Sequence, residues 1–546
     1  MGRRIRWLGI IMVLCFGMVL VQLVNIQYRR APALAASTQN PRNLAANYDN
    51  QRGTILAANG AILAESVPST VGSFKYQRTY PTKNLFSEIV GYDSHIYGLN
   101  GVEYQYDSYL SSHAQKATTL GQLLSPPPAT TDNVTLTVDP TLQTAAQTAL
   151  SNVASANKDG AVVVLQPTTG NVLAMYSSPS FDPNPLASPL TSVENLGRLV
   201  QNTKDAEGFT PALPLSYTQI FQPGSTSKVV TSAAAYDLKP ALASFSAPVQ
   251  ACLKLPDSDK QLCNDDATTN PCGGMMSEML PASCDPGYAA LGLALGGDVL
   301  AKQADMFGYN QVPPLDLPNV AASHYPTAED FTPPNEPGLP GVAYSAIGQQ
   351  DVAASALQNA LIASAIADGG VIMTPHVMAE VRDQSGQLVT SYQPKPWLRA
   401  TTQSTAAQIT ALMEAVISGG TATGAISPSL NAAVKTGTAQ TDINNQTDDW
   451  MIGFAPATDP QVAVAVVVPY QAQSASGAAV AGPIMNCILA TALGDTNLEG
   501  VPTACPVSAT PAAPATQAAV KGASGVATAA ATTTRHPRAP HARSKG

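Results

Sequence analysis

The sequence predicts an α+β protein: an N-terminal transmembrane helix, a β-rich pedestal module, and then a mainly antiparallel five-stranded sheet flanked by helices. Three observations carry that expectation. A charge-free apolar run opens the chain, long enough to cross a bilayer as a helix. Two strand-like segments after Gly160 are answered by three more between Ala432 and Tyr470 around a helical middle, the pattern of one sheet with helices packed on it. Of the 546 residues, 45% are hydrophobic and 12% charged, which describes globular material with a substantial core. The net charge of −9 leaves no basic field for nucleic acid, and nucleic-acid binding is excluded as the main activity.

Taken in order, Arg3, Arg4 and Arg6 precede the apolar stretch Trp7 to Tyr28, and their charge places the N-terminus in the cytoplasm and all that follows outside. A cleavable leader is the competing reading, since Ala33-Leu34-Ala35 resembles a cleavage site. That site lies well beyond the apolar run and behind Arg29-Arg30, which favours an uncleaved anchor over residues 1–36. Residues 37–154 mix short strand-like runs with polar turns. In "GTILAANGAILAES", Asn59-Gly60 between two apolar runs signals a hairpin. A new sheet begins in "GAVVVLQPTTGNVLAMYSS", a strand, a turn and a second strand. "ALQNALIASAIADGG" reads as an apolar helix stopped by Gly369 and Gly370. "AAVKTGTAQ", "DWMIGFAPATDP" and "QVAVAVVVPY" follow as strands, and a last apolar helix runs near Gly482 to Leu493. This places the main domain at 155–502. Residues 503–546, rich in Ala, Thr and Pro, bury too little to offset ordering and are expected to form a disordered tail.

Six cysteines lie beyond the anchor, which holds Cys15, and an exported chain lets disulfides persist. The polar loop bearing Cys252, Cys263 and Cys272 is the first candidate for crosslinking, and Cys487 with Cys505 is a second; connectivity is not readable from sequence. Cys284 is read as a buried thiol or a partner in that set. No histidine lies near these cysteines and their spacing is not that of a zinc finger, so neither a metal nor another cofactor is expected.

Chemistry can sit in three places. In "FQPGSTSK" a helix starting at Pro223-Gly224 puts Ser225 and Lys228 on one face, i and i+3, where an amine can take the hydroxyl proton of a serine nucleophile. The bland alternative is a chance pair on a solvated helix. In "PASCDPGYAALGLALGG", Ser283 and Asp285 alternate and can enter one cleft, although Ser-Cys-Asp-Pro also reads as a helix N-cap. In "VKTGTAQ", Gly437 permits close backbone approach, while Lys435, Thr436 and Thr438 offer a positive charge and hydroxyls to a carboxylate pairing along the strand; an ordinary edge strand looks the same. All six histidines are remote in sequence from these motifs, which disfavours a Ser-His-Asp triad.

Ser-x-x-Lys, Ser-x-Asp/Asn and Lys-Thr-Gly in this order form the signature of serine acyl-transferases that handle D-alanyl peptides and β-lactams. With "QRGTILAANGAILA", "YGLNGVEYQYDSYL", "SAIGQQDVAASALQNALIASAIADGG" and "WMIGFAPATDPQVAVAVVV", the chain resembles the monofunctional class B penicillin-binding proteins, more narrowly the actinobacterial penicillin-binding protein A branch. The resemblance implies a serine β-lactamase/transpeptidase-like domain that crosslinks peptidoglycan stem peptides on lipid-linked glycan through an acyl-enzyme and is acylated by β-lactams. It further implies a pedestal of dimerisation type, and as partners a membrane glycan polymerase and division or elongation proteins. By motif, Ser225 is the implied nucleophile, Lys228 its base and Ser283 a proton shuttle. Asp285, Lys435, Thr436, Gly437 and Thr438 line the substrate, and the N–H groups of Ser225 and Thr438 form the implied oxyanion hole.

The chain departs from that pattern at Asp285, where asparagine is usual, at Ser216-Tyr217, where Asn-Arg is usual, at Ser227, commonly aromatic, and at Ala57-Ala58. A carboxylate accepts hydrogen bonds but cannot donate them, so slow acylation is expected. A β-lactamase needs a residue that activates water, and no such motif is visible; no glycosyltransferase signature is visible either. The remaining alternative is a catalytically weak scaffold that only binds penicillin.

Overall fold

The computed structural model describes residues 2–30, 49–69, 74–113, 130–153, 158–188, 204, 208–264, 270–332, 338–441, 446–498 and 500–505. The predicted tail started too early: residues 503–505 are held by the domain, with Cys505 bonded to Cys487 and Ala504 N–H donating to Pro483 O at 3.0 Å; residues 506–546, and the Ala33-Leu34-Ala35 segment, lie outside the described residues. The helix Gly2–Val24 continues into a π-helical turn, Asn25–Arg30, with its apolar side chains exposed. It is long and apolar enough to cross a membrane.

The central sheet has five strands, all antiparallel to their neighbours, in the order Ala433–Gln440, Gln446–Ala455, Val462–Ala472, Gly160–Leu165, Val172–Ser178. These are the five segments expected from the sequence. Alternation assigns each side chain to a layer. Ala161, Val163 and Leu165 join the core on one face, whereas Val162 and Val164 join the core on the other. Both faces are covered, and so the strands read as continuous apolar runs. On the first face lies the helix Ala356–Ala367, capped by Ser355 and followed by Gly369 and Gly370 at positive φ. Its apolar surface extends all round because it is buried all round. The helices Pro140–Ser151 and Gly477–Leu493 cover the second face. Each fully buried Val or Ile side chain contributes roughly 1.5–3 kcal/mol to this sandwich.

A second sheet has the order Leu388–Ser391, Met378–Arg382, Asn133–Leu136, Ile55–Leu56, Ile62–Pro68, Tyr76–Thr79. Asn59-Gly60 makes the expected turn, with Gly60 at φ 83°. Two of the six strands come from far along the chain, and Met378–Arg382 pairs antiparallel with Asn133–Leu136. Beside this sheet lies a buried ionic cluster. Arg52 Nε and Arg78 Nε each donate to Glu103 at 2.6 Å, and Arg52 Nη1 donates to Asp107 at 2.5 Å. Burial pushes the Glu103 carboxyl up, but the charges of Arg78 and Arg52 outweigh it and hold the group below its ordinary value.

The chain bonds Cys252 to Cys263, Cys272 to Cys284 and Cys487 to Cys505. The reading of Cys284 as a free buried thiol is corrected. The strand Cys272–Met275 runs beside the turn that carries Cys284, bringing the two sulfurs together.

Glu88, on the short helix Ser87–Val90, is buried against the main domain. Ser216 Oγ donates to its carboxylate at 2.9 Å and Tyr217 Oη donates to its backbone oxygen at 3.2 Å. Burial pushes the carboxyl up from 4.5 to about 7, against the hydrogen bonds of Ser177 and Ser216. An unfolded glutamate loses its proton first, so this group costs stability progressively as pH rises from about 4.5 to about 7. Glu88→Gln is therefore expected to leave stability nearly unchanged at pH 4 and to raise it by about 2–3 kcal/mol at pH 8. Urea unfolding of the detergent-solubilised chain at both pH values checks this; an equal effect at the two would contradict it.

Candidate active site

Gly224–Ser227 forms one 3-10 turn that runs straight into the helix Lys228–Asp237, so Ser225 and Lys228 stand on successive turns of one face. The Lys228 side chain is wholly buried, and its Nζ lies 2.9 Å from Ser225 Oγ, 2.7 Å from Ser283 O, 3.2 Å from Ser283 Oγ and 2.5 Å from Asp285 Oδ1. The two shortest contacts, to Asp285 and the Ser283 carbonyl, fix the amine beside the Ser225 hydroxyl. Nζ also lies 5.6 Å from the centre of the Tyr288 ring, which is fixed by a 2.7 Å bond between its hydroxyl and Ser232 Oγ.

Ser283 and Asp285 reach Lys228 from the turn that precedes the apolar helix. Ser283 adopts φ 54°, a left-handed conformation that costs an L residue about 1–2 kcal/mol. The surroundings hold it there: Ser283 N–H donates to Leu280 O, Cys284 N–H to Met279 O, and the Cys272–Cys284 bond anchors the next residue. Asp285 then opens the helix Asp285–Leu295 with Pro286 behind it, so the expected N-cap role falls at Cys284.

The third motif lies on the edge strand. Lys435, also fully buried, donates to Ser283 Oγ at 2.9 Å and Thr436 O at 2.8 Å. The Ser283 hydroxyl is thus held between two lysine amines. Thr436 Oγ1 shares a 2.6 Å hydrogen bond with Thr421 Oγ1, and Thr438 Oγ1 accepts from Gly477 N–H at 3.1 Å. A Cβ at Gly437 would stand 2.8 Å from Pro223 O and 2.9 Å from Thr226 Cγ2. Only glycine lets this strand lie against the turn bearing Ser225.

Between these elements opens a cavity of about 210 Å³ lined by Ser225, Ser283, Thr421, Thr436, Thr438, Ser476, Gly477 and Ala478. Ser225, Lys228, Ser283, Asp285 and Lys435 to Thr438 lie in or beside it, and none of the described residues that line it is a histidine. Thr421, Tyr288 and Ser476-Gly477 were not legible as site residues. The one hint was that Ser476-Gly477 opens an apolar helix, whose N-cap is Ser476. Among the described residues, no group of three or more His, Cys, Asp or Glu is placed to hold a metal.

Residues 160–490 match the family described as the penicillin binding protein transpeptidase domain, and residues 52–125 match the penicillin binding protein A dimerisation domain. The chain is 34% identical over 507 residues to the peptidoglycan D,D-transpeptidase PbpA of Mycolicibacterium smegmatis, covering 90% of this chain and 99% of that one. It is 33% identical to the protein of the same name from Mycobacterium tuberculosis over 512 residues, again 90% of this chain and 99% of the other. Among solved structures, the ceftriaxone acyl-enzyme complex of penicillin-binding protein A from M. tuberculosis superposes with a TM-score of 0.71 at 32% identity, covering 81% of this chain and 98% of that one. A penicillin G acyl-enzyme complex of that protein matches with the same TM-score at 31% identity, over 81% of this chain and 100% of the other.

Proposed function

Because this chain belongs to the penicillin-binding protein transpeptidase family, we propose that its peptidoglycan D,D-transpeptidase activity runs through Ser225 as nucleophile and Lys228 as the base that activates it. The observation that carries the assignment is the single lysine amine within 3.2 Å of both hydroxyls, Ser225 Oγ and Ser283 Oγ. Lys228 takes the hydroxyl proton as Ser225 Oγ bonds to the carbonyl of the penultimate D-alanine. The tetrahedral oxyanion is held by the N–H groups of Ser225 and Thr438, each worth about 3–4 kcal/mol in such sites. Ser283 passes the proton from Lys228 to the nitrogen of the departing terminal D-alanine. An amine of a neighbouring stem then attacks the ester, restoring Ser225 and leaving the crosslink. Thr436 and Thr438 hold the terminal carboxylate, and Lys435 adds positive potential beneath it. β-Lactams enter the same path and stop at the ester.

The anchor helix is taken to cross the membrane once, with the Arg-rich end in the cytoplasm and the catalytic domain outside. The domain bounds are taken as 1–36, 37–154, 155–505 and 506–546, the expected 503 boundary moving because Cys505 is bonded to Cys487. A membrane glycan polymerase, with division or elongation proteins, fits as partner, since confinement to one bilayer brings the two reactions of wall synthesis together.

Two measurements test this reading. Penicillin should leave one covalent equivalent on the detergent-solubilised chain, mapped by peptide mass to Ser225; a label elsewhere, or none, sinks it. Asp285 Oδ1 accepts from Lys228 Nζ at 2.5 Å, and this charge-assisted hydrogen bond restrains the amine more tightly than an asparagine oxygen would. Asp285→Asn is expected to speed penicillin acylation by about tenfold, a change of about 1.4 kcal/mol in barrier. An unchanged or lower rate would show that the carboxylate does not restrain the base.

A further inference from the structure

Asp448 is a buried carboxylate that the reaction path does not use. It is 3% exposed and lies on the strand Gln446–Ala455, two positions before Trp450. Alternation puts the two side chains on one face of that strand, and both reach Gln222, three positions before Ser225. The Asp448 carboxylate accepts from Gln222 N–H and, at 3.2 Å, from Tyr470 N–H. Trp450 Nε1 donates to Gln222 O at 2.9 Å. The backbone of Gln222 is thus gripped at both of its polar groups.

Neighbouring ties run elsewhere. Phe221 exchanges backbone hydrogen bonds with Ala354 at 2.9 and 2.8 Å, and Gly224 N–H donates to Gly348 O at 2.9 Å. The two ties through Gln222 run instead to the strand that pairs with the edge strand, on which Asp449 stands opposite Thr438. One strand therefore fixes both halves of the oxyanion hole, Thr438 by pairing and Ser225 through Gln222. A small loss of register between those halves is costly, because acyl transfer depends on sub-ångström placement of nucleophile and donors.

We propose that Asp448 and Trp450 are positioning residues for acyl transfer, which hold the turn bearing Ser225 in register with Thr438, and that the hold is tightest when Asp448 is ionised. The inference rests on Ser225 being the nucleophile. A carboxylate accepts both N–H groups in charge-assisted hydrogen bonds, whereas the protonated acid turns one oxygen into a donor. Burial pushes the Asp448 carboxyl up to about 7, against the hydrogen bonds from Tyr470 and Gln222 N–H, so the change of state falls in the neutral range. Tyr470 beside it stays neutral there, its hydroxyl pushed up by burial and then by the charge of Asp448. Phe209, stacked on the Tyr470 ring, brings no charge. Asp449 falls on the opposite face of the strand by alternation. Lys435 stands opposite Ile452, further along the edge strand, and Asp351, in the segment that meets Gln222, is exposed.

Acylation of the detergent-solubilised full chain by a fluorescent penicillin, followed from about pH 5.5 to about pH 8.5, compares the native chain with Asp448→Asn and Trp450→Phe. Lys228 is common to all three, so the ratio of native to variant rate cancels its titration. For Asp448→Asn the ratio is expected to be near one at the acid end and to rise to about fivefold at the alkaline end, the scale on which a charge-assisted hydrogen bond exceeds a neutral one. Its midpoint should lie at about 7. Trp450→Phe keeps an apolar ring without the donor and should be about fivefold slower at every pH. In the native chain alone, the Gln222 amide should exchange with deuterium several times more slowly above pH 7 than below it, relative to its intrinsic rate. A ratio for Asp448→Asn that is flat in pH, or a Gln222 amide whose protection does not change, overturns the role of Asp448. Equal rates in the native chain and Trp450→Phe overturn that of Trp450. A native chain whose Gln222 amide responds to pH while Ser225 stays unlabelled by penicillin overturns the nucleophile assignment, and the positioning role with it.

Discussion

Lys228→Ala is expected to slow penicillin acylation of Ser225 by about a thousandfold or more, within the range spanned by removal of a positioned general base. The effect should be this large because, among the described residues, Lys228 is the basic side chain in contact with Ser225 Oγ. Lys435 Nζ reaches Ser283 Oγ at 2.9 Å and Thr436 O at 2.8 Å. Deleting the amine also strands Asp285, which would face the cavity without the 2.5 Å partner it now has. Time courses with a fluorescent penicillin give the rate, and Lys228→Arg separates charge from basicity, since a guanidinium keeps the cation but does not accept a proton at neutral pH. A drop of less than tenfold in either variant would move the base elsewhere.

The second large effect is on stability. Glu103→Ala removes the acid that faces both Arg52 and Arg78, whose side chains are 5% and 1% exposed and so have almost no access to water. Arg52 keeps Asp93 at 3.7 Å and Asp107 at 2.5 Å, but no other ion pair to Arg78 is seen among the described residues. Removing one partner of a buried ion pair typically costs about 3–5 kcal/mol. The midpoint of thermal unfolding should fall by roughly 10 °C, if each kcal/mol shifts a domain of this size by about 2–4 °C. The ion cluster also has a pH signature. Glu103 is held below its ordinary value, so its stabilising effect is present above the unfolded carboxyl range and is lost as pH falls through the folded value. A variant that unfolds within 2 °C of the native chain would show that Asp93 and Asp107 suffice.

How far the sequence carried the fold depends on how local the signals are. The five strands of the central sheet were legible because both faces are buried, which writes long apolar runs such as Val462–Ala472 into the chain. The nucleophile pair was legible because helical periodicity alone brings Ser225 and Lys228 together. The parts that were not legible depend on distant contacts. Met378–Arg382 pairs with Asn133–Leu136 by a register that no local pattern specifies. Thr421 enters the site only because it meets Thr436, and as a lone threonine in a loop it carries no mark. The left-handed turn at Ser283 was hidden for a different reason: a serine is not a residue that normally announces positive φ. The partnership of Cys272 with Cys284 was one of several pairings that spacing allows.

The interleaved second sheet has a consequence for biogenesis. A chain made from its N-terminus presents the strand Asn133–Leu136 well before Met378–Arg382 exists, at a synthesis rate of about 5–20 residues per second. For roughly tens of seconds the nascent second sheet therefore carries an open flank of unpaired amides, a template for wrong partners. Any truncation that ends before Met378 makes the vulnerable interval permanent.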